Sequence, residues 1–111
     1  MADSSGLSSP KKMLKLTVIV KARDSFKGKP VVDVLLSLYK QAGISGATVT
    51  HAARGYGARG VARADVFGLS VNLPAVVETV ADYEKISKVL SEIHRMVRTN
   101  GLTTTSEVNV Y

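Results

Sequence analysis

The sequence predicts an α+β fold in which strand–helix–strand occurs twice. Three observations carry this expectation. Four segments read as strands by period-two alternation or β-branched content. Two apolar stripes at helical spacing lie between them. Helix breakers stand where each stripe ends.

Leu14, Leu16, Val18 and Val20 alternate with Lys15, Thr17, Ile19 and Lys21, which gives the first strand. Ile19 breaks the polar side of that alternation and implies that the second sheet face is partly covered. A polar loop follows, Arg23 to Lys29, and Pro30 suits the first turn of a helix, where its missing N–H costs nothing. Val31, Val34, Leu35, Leu38 and Ala42 fall on one helical stripe, and Gly43 is placed to end it. Residues 47–54, rich in β-branched side chains at the start, read as the second strand. From Gly55 to Asn72 there is no clean period, so this segment reads as a long excursion. Residues 73–81 form the third strand, with Pro74 near its start, where a missing N–H is tolerated. Asp82 is a suitable N-cap for the second helix, whose stripe is Ile86, Val89, Leu90, Ile93 and Val97. Asn100-Gly101 closes that helix, and residues 102–111 alternate again as the fourth strand. Packing both helices on one face of an antiparallel sheet gives a ferredoxin-like β-α-β-β-α-β sandwich. Its other face then needs a cover, and a second subunit is the expected one.

The chain of 111 residues is 45% hydrophobic and 22% charged, which suits one soluble domain. Residues 1–12 (MADSSGLSSPKK) are expected to form a disordered tail and residues 13–111 the domain. No Cys is present, which excludes disulfides, thiolate metal sites and cysteine catalysis. No apolar run approaches a membrane span, and the start lacks a signal-peptide pattern. A cytoplasmic location without membrane insertion is therefore expected.

The net charge is +6, and its distribution is uneven. Residues 1–63 hold eleven bases and three acids, whereas residues 64–111 hold four bases and six acids. A basic half attracts phosphates, nucleotides or nucleic acid, or simply keeps the protein soluble. Among the bases, Arg54, Arg59 and Arg63 cluster around Gly55-Tyr56-Gly57-Ala58-Arg59-Gly60. That string matches G-x-G-x-x-G, but no helix pattern follows directly, so a dinucleotide fingerprint is not indicated. Glycine N–H groups and arginine forks together suit an anion. The competing readings are an ordinary turn and a solvated or ion-paired loop. His51 and His94 have no metal-ligand spacing, and no catalytic elbow or Walker loop occurs, so neither a cofactor, a metal nor an enzyme is expected.

Several strings together resemble a known family. They are Leu14-Lys15-Leu16-Thr17, Asp24-Ser25-Phe26-Lys27-Gly28-Lys29-Pro30, residues 42–49, Arg54-Gly55-Tyr56-Gly57-Ala58, Leu73-Pro74-x-Val76-Val77-Glu78 and Gly101-Leu102-Thr103-Thr104. Over residues 13–111 they resemble the PII-like family known as domain of unknown function 190, related to the nitrogen-regulatory PII proteins. The resemblance implies a PII-like homotrimer and a non-enzymatic signalling role. It also implies adenine-nucleotide or other small-anion binding in clefts between subunits, with a loop at about residues 55–70 shown to a partner protein. The implied binding residues are Arg54, Gly55, Tyr56, Gly57, Arg59 and Arg63 at the first loop, and Gly101, Leu102, Thr103 and Thr104 at the second. PII proteins carry a Gly-Asp-Gly-Lys stretch there, whereas Asn100-Gly101-Leu102-Thr103 has no Lys. The charge for a bound nucleotide then falls to Arg54, Arg59 or Arg63. The alternative from the charge alone is a basic nucleic-acid-binding module, whose affinity would fall steeply with salt.

Overall fold

A computed structural model describes residues 9–57, 60–63, 72–98 and 100–111. Its elements, in order, are β1 (Lys11–Lys21), β2 (Ser25–Phe26), β3 (Lys29–Pro30), α1 (Val31–Gln41), β4 (Thr48–His51), β5 (Arg54–Gly57), β6 (Gly60–Arg63), β7 (Pro74–Ala81), α2 (Tyr83–Val97) and β8 (Leu102–Val110). β4, β7, β1 and β8 form one sheet in that spatial order, antiparallel at every pairing. This is the ferredoxin-like arrangement, with both helices packed on one face.

The alternation in β1 decides which face that is. Leu16, Val18 and Val20 are buried, and so are Ala75, Val77 and Ala81 of β7, which face the same way. Against them pack Val31, Leu35 and Tyr39 of α1 and Ile86, Val89, Ile93 and Val97 of α2. The α2 stripe is as expected, except that Leu90 is only half-buried. The α1 stripe is rotated. Its buried row is Val31, Leu35, Tyr39, a spacing of four, while Val34, Leu38 and Ala42 lie at its flank. The Tyr39 hydroxyl is buried with no hydrogen-bond partner, and burial raises its pKa above the ordinary tyrosine value.

The helix ends follow their local chemistry. Gly43 takes φ 81°, and the Gly43 and Ile44 N–H groups donate to the Lys40 and Tyr39 carbonyls at 3.1 and 3.0 Å. That is a Schellman closure, which glycine permits without a Cβ clash. Asp82 stands at the N-cap of α2, but its side chain makes no capping bond; it pairs with Lys11 Nζ at 2.9 Å instead. The lysine also holds the Asp82 carboxyl below its usual range.

Three boundaries differ from expectation. β1 begins at Lys11, so Lys11 and Lys12, expected in the tail, are strand residues opposite Val110 and Asn109. The second strand stops at His51 rather than at Arg54; the Ala52 N–H still donates to the Pro74 carbonyl of β7 at 2.9 Å, and the chain leaves the sheet after it. Arg54 instead opens a separate antiparallel ribbon, β5 with β6, which continues into the segment read as a long excursion without a clean period. The two-residue strands β2 and β3 also form a small hairpin, turned by Lys27 and Gly28 at φ 51° and 81°.

The sheet face away from the helices is neither fully polar nor covered. It carries Lys15, Thr17 and Ile19 of β1 beside Val76, Glu78 and Val80 of β7. Glu78 Oε2 accepts from Lys15 Nζ and Thr17 Oγ1, both at 3.1 Å. Val80 and Val110 remain more than a third exposed and Leu102 more than half, all at sheet positions. No helix among the described residues is long and apolar enough to cross a membrane.

Candidate functional site

The four sheet strands share one end. His51, Ala75, Val20 and Leu102 lie there, because β4 exits, β7 and β8 enter, and β1 ends at that side. α2 also finishes there, at Val97. A pocket of about 390 Å³ opens between the last turns of α2 and the start of β8. Leu90, His94 and Val97 line it from one stripe of α2, and Arg98 from the turn that follows the helix. Gly101, Leu102 and Thr103 line it from the strand side.

Gly101 makes the close approach between those two walls possible. A Cβ there would collide with the Ile19 carbonyl oxygen and stand 2.7 Å from Val97 Cγ1. Chemically, the pocket has an apolar part (Leu90, Val97, Leu102) and a polar rim (His94, Arg98, Thr103). The C-terminus of a helix presents carbonyl oxygens and a partial negative charge. An anion held here therefore depends on a cationic side chain, and the pocket residue that supplies one is Arg98.

The sequence-derived residues divide between two places. Gly101, Leu102 and Thr103 are in the pocket; Thr104 is outside its lining and stands opposite Thr17 on the open sheet face. Arg54, Gly55, Tyr56 and Gly57 form β5, with Arg54 and Tyr56 exposed, Tyr56 to 88%. Arg63, on β6, is the cross-strand partner of Arg54. Gly57 pairs with Gly60 across two residues; Arg59 is one of them and lies outside the described residues. Residues 64–71 of the expected loop also lie outside them.

β5 follows β4 on one sheet edge, whereas the pocket adjoins β8 on the other edge. Three inter-strand spacings, about 14 Å in all, separate those edges. A single chain thus brings both groups to the same end of the sheet but does not join them. The basic half of the sequence is also partly neutralised in space, since Lys11 and Lys15 pair with Asp82 and Glu78 from the acidic half. No cluster of three His, Cys, Asp or Glu that could hold a metal occurs among the described residues.

Comparison with known proteins agrees with this architecture. The profile of the DUF190 family, described as an uncharacterized ACR, matches residues 13–110. The chain belongs to the DUF190 family. A UPF0166 protein from Methanocaldococcus jannaschii is 40% identical to it over 96 residues, covering 86% of this chain and 89% of that protein. A UPF0166 protein from Aquifex aeolicus is 39% identical over 101 residues, covering 90% and 92%. Among solved structures, this DUF190 chain is similar to CPII, a nitrogen regulatory PII-like protein from Thiomonas intermedia, in a structure bound to ADP, AMP and bicarbonate. The TM-score is 0.72 at 14% identity, over 94% of this chain and 100% of that one. At that identity the likeness establishes the PII-like fold.

His94 and Arg98 were not among the residues singled out as a site from the sequence. For His94 a signal was present, because it lies four residues after Leu90 and three before Val97 on one helical stripe; for Arg98, beyond the helix end, there was none.

Proposed function

We propose that this DUF190 protein is a non-enzymatic PII-like regulator that binds an adenine nucleotide, or a similar small anion, between the subunits of a homotrimer. In this reading it presents residues 55–70 to a partner protein. The observation that carries the reading is the α2–β8 pocket: a partly apolar volume with the Arg98 guanidinium at its rim, at the sheet end where β5 also begins at Arg54. Ligand pockets of this kind commonly measure about 300–1,000 Å³, and an apolar wall with a basic rim suits a base plus its phosphate. The solved structure of CPII bound to ADP and AMP supports the ligand class.

The homotrimer is supported by two features. The open sheet face carries Ile19, Val76 and Val80 in adjacent strands, apolar surface that a neighbouring sheet would cover. The arginine ribbon and the pocket sit on opposite edges at one end of the sheet, so a ring of copies would place the ribbon of one beside the pocket of the next.

The test is thermal unfolding of the purified protein with ADP, AMP, ATP and cyclic AMP, and with duplex DNA in parallel. Ligand at 100 times its Kd stabilises the native state by about 2.7 kcal/mol per site, a readily measured shift. A shift with a nucleotide that weakens in Arg54→Ala is the expected result. A shift with DNA alone, vanishing as salt rises, would replace this reading by the nucleic-acid one.

A further inference from the structure

Arg98 has a backbone conformation that its side chain disfavours. Its φ and ψ are 49° and −122°. The Asn100 N–H donates to the Val97 carbonyl at 2.9 Å, so Arg98 is the first residue inside a tight turn that it enters with positive φ. Glycine dominates that position, because φ is positive there and a Cβ is crowded. Gly101 stands only three residues later, so a glycine is available to the chain but not at the strained position. Residues held in such regions persist where the surroundings over-determine them, and they gather at binding sites.

The side chain at this turn is also the one that the pocket needs. Arg98 lines the pocket, is exposed, and has no carboxylate partner among the described residues. Its Nε donates to the Arg95 carbonyl at 3.3 Å, which fixes the base of the guanidinium and leaves its terminal nitrogens for a ligand. The strand-side wall, Gly101-Leu102-Thr103, supplies no cation.

We infer that Arg98 is the phosphate-binding residue of the α2–β8 pocket, and that the strained turn is retained because it aims the guanidinium there. This rests on the nucleotide-binding reading and names the group within the chain that grips the anion.

The test compares wild type with Arg98→Gly, Arg98→Lys and Arg95→Ala, the last being an exposed residue paired with Glu92 outside the pocket lining. Binding of ADP and of inorganic pyrophosphate is measured by calorimetry, and melting is measured without ligand. Arg98→Gly removes the strain and the cation together. It is expected to melt about 4–8 °C above wild type while its ADP affinity falls at least tenfold. Arg98→Lys should lose affinity by a smaller factor, because it keeps the charge but not the fork. Arg95→Ala should stay within twofold.

The outcomes separate the two claims. ADP binding that Arg98→Gly leaves unchanged overturns the inference and leaves the nucleotide reading standing. Pyrophosphate binding that depends on Arg98, without any binding of ADP, upholds Arg98 as an anion ligand and overturns the nucleotide reading. No binding of either probe to wild type overturns both. An Arg98→Gly protein that melts at or below wild type overturns the strain argument.

Discussion

Gly101→Ala should be the most costly single-methyl change at the site, and the geometry sets its size. The added Cβ would overlap the Ile19 carbonyl oxygen, stand 2.7 Å from Val97 Cγ1 and 3.2 Å from Val20 Cγ1. Comfortable carbon–carbon contact is about 3.5–4.0 Å. Val97 and Val20 are buried and leave little room to yield. The Ile19 oxygen belongs to backbone that pairs with Leu102, so it can retreat only by opening the β1–β8 ladder at its first rung. Overpacking generally costs about 1–3 kcal/mol. With a backbone atom as the obstacle, the upper part of that range applies, roughly 2–3 kcal/mol. For a domain of this size, each 1 kcal/mol moves the melting temperature by about 4–8 °C, so a fall of about 8–24 °C is expected. Gly46→Ala is the control. A Cβ there meets nothing within 4 Å, and relief of unfolded-chain entropy should leave it neutral or more stable by about 0.4–1 kcal/mol. Urea titration at pH 7, with both midpoint and slope recorded, measures the difference. If the two variants unfold together, the close packing of α2 against β1 at Gly101 is wrong, and so is the pocket wall built on it.

Three further outcomes follow from single contacts. Tyr39→Phe removes a buried hydroxyl that has no partner, so it should stabilise the fold by about 1–2 kcal/mol; a destabilised variant in the same urea assay would show that the hydroxyl is satisfied. The Glu78 carboxyl is held below its ordinary pKa of 4.5, first by hydrogen bonds from Lys15 and Thr17. Its contribution is therefore present above that value and fades as pH falls through the lowered one. Stability measured from pH 6 to pH 3 should decline less steeply in Glu78→Gln than in wild type; parallel curves would rule out that linkage. Val80→Glu places a charge on the open sheet face, where Val80 is 38% exposed in the single chain. Sedimentation should then show trimers for wild type and smaller species for the variant, and an unchanged trimer would place the interface elsewhere.

The sheet and the second helix were legible in the sequence because their burial is simple. Leu16, Val18 and Val20 alternate with polar neighbours, and Ile86, Val89, Ile93 and Val97 recur at helical spacing. The first helix was less so. Val34 and Leu38 look as apolar as Leu35, and only packing against the sheet turns the helix far enough to bury Tyr39 instead. The Arg54–Arg63 ribbon was missed because Gly55 and Gly57 on one strand and Gly60 and Ala62 on the other give no alternation to detect. Hydrogen-bond pairing, which leaves no pattern in side-chain type, holds it. Half of the candidate site had a signature: Gly101, Leu102 and Thr103 do line the pocket. Arg98 did not, because a turn residue with positive φ is recognised in a sequence by glycine, and here an arginine holds that position.

The most direct measurement is an amide chemical-shift map of the assembled, isotope-labelled protein during titration with ADP. Saturable shifts at His94, Arg98, Gly101, Leu102 and Thr103, together with Arg54, Gly55 and Tyr56, are the predicted result. They would join the two edges of the sheet into one cleft. An absence of shifts up to millimolar ADP, or shifts that avoid both the α2–β8 pocket and the β5–β6 ribbon, would contradict the account.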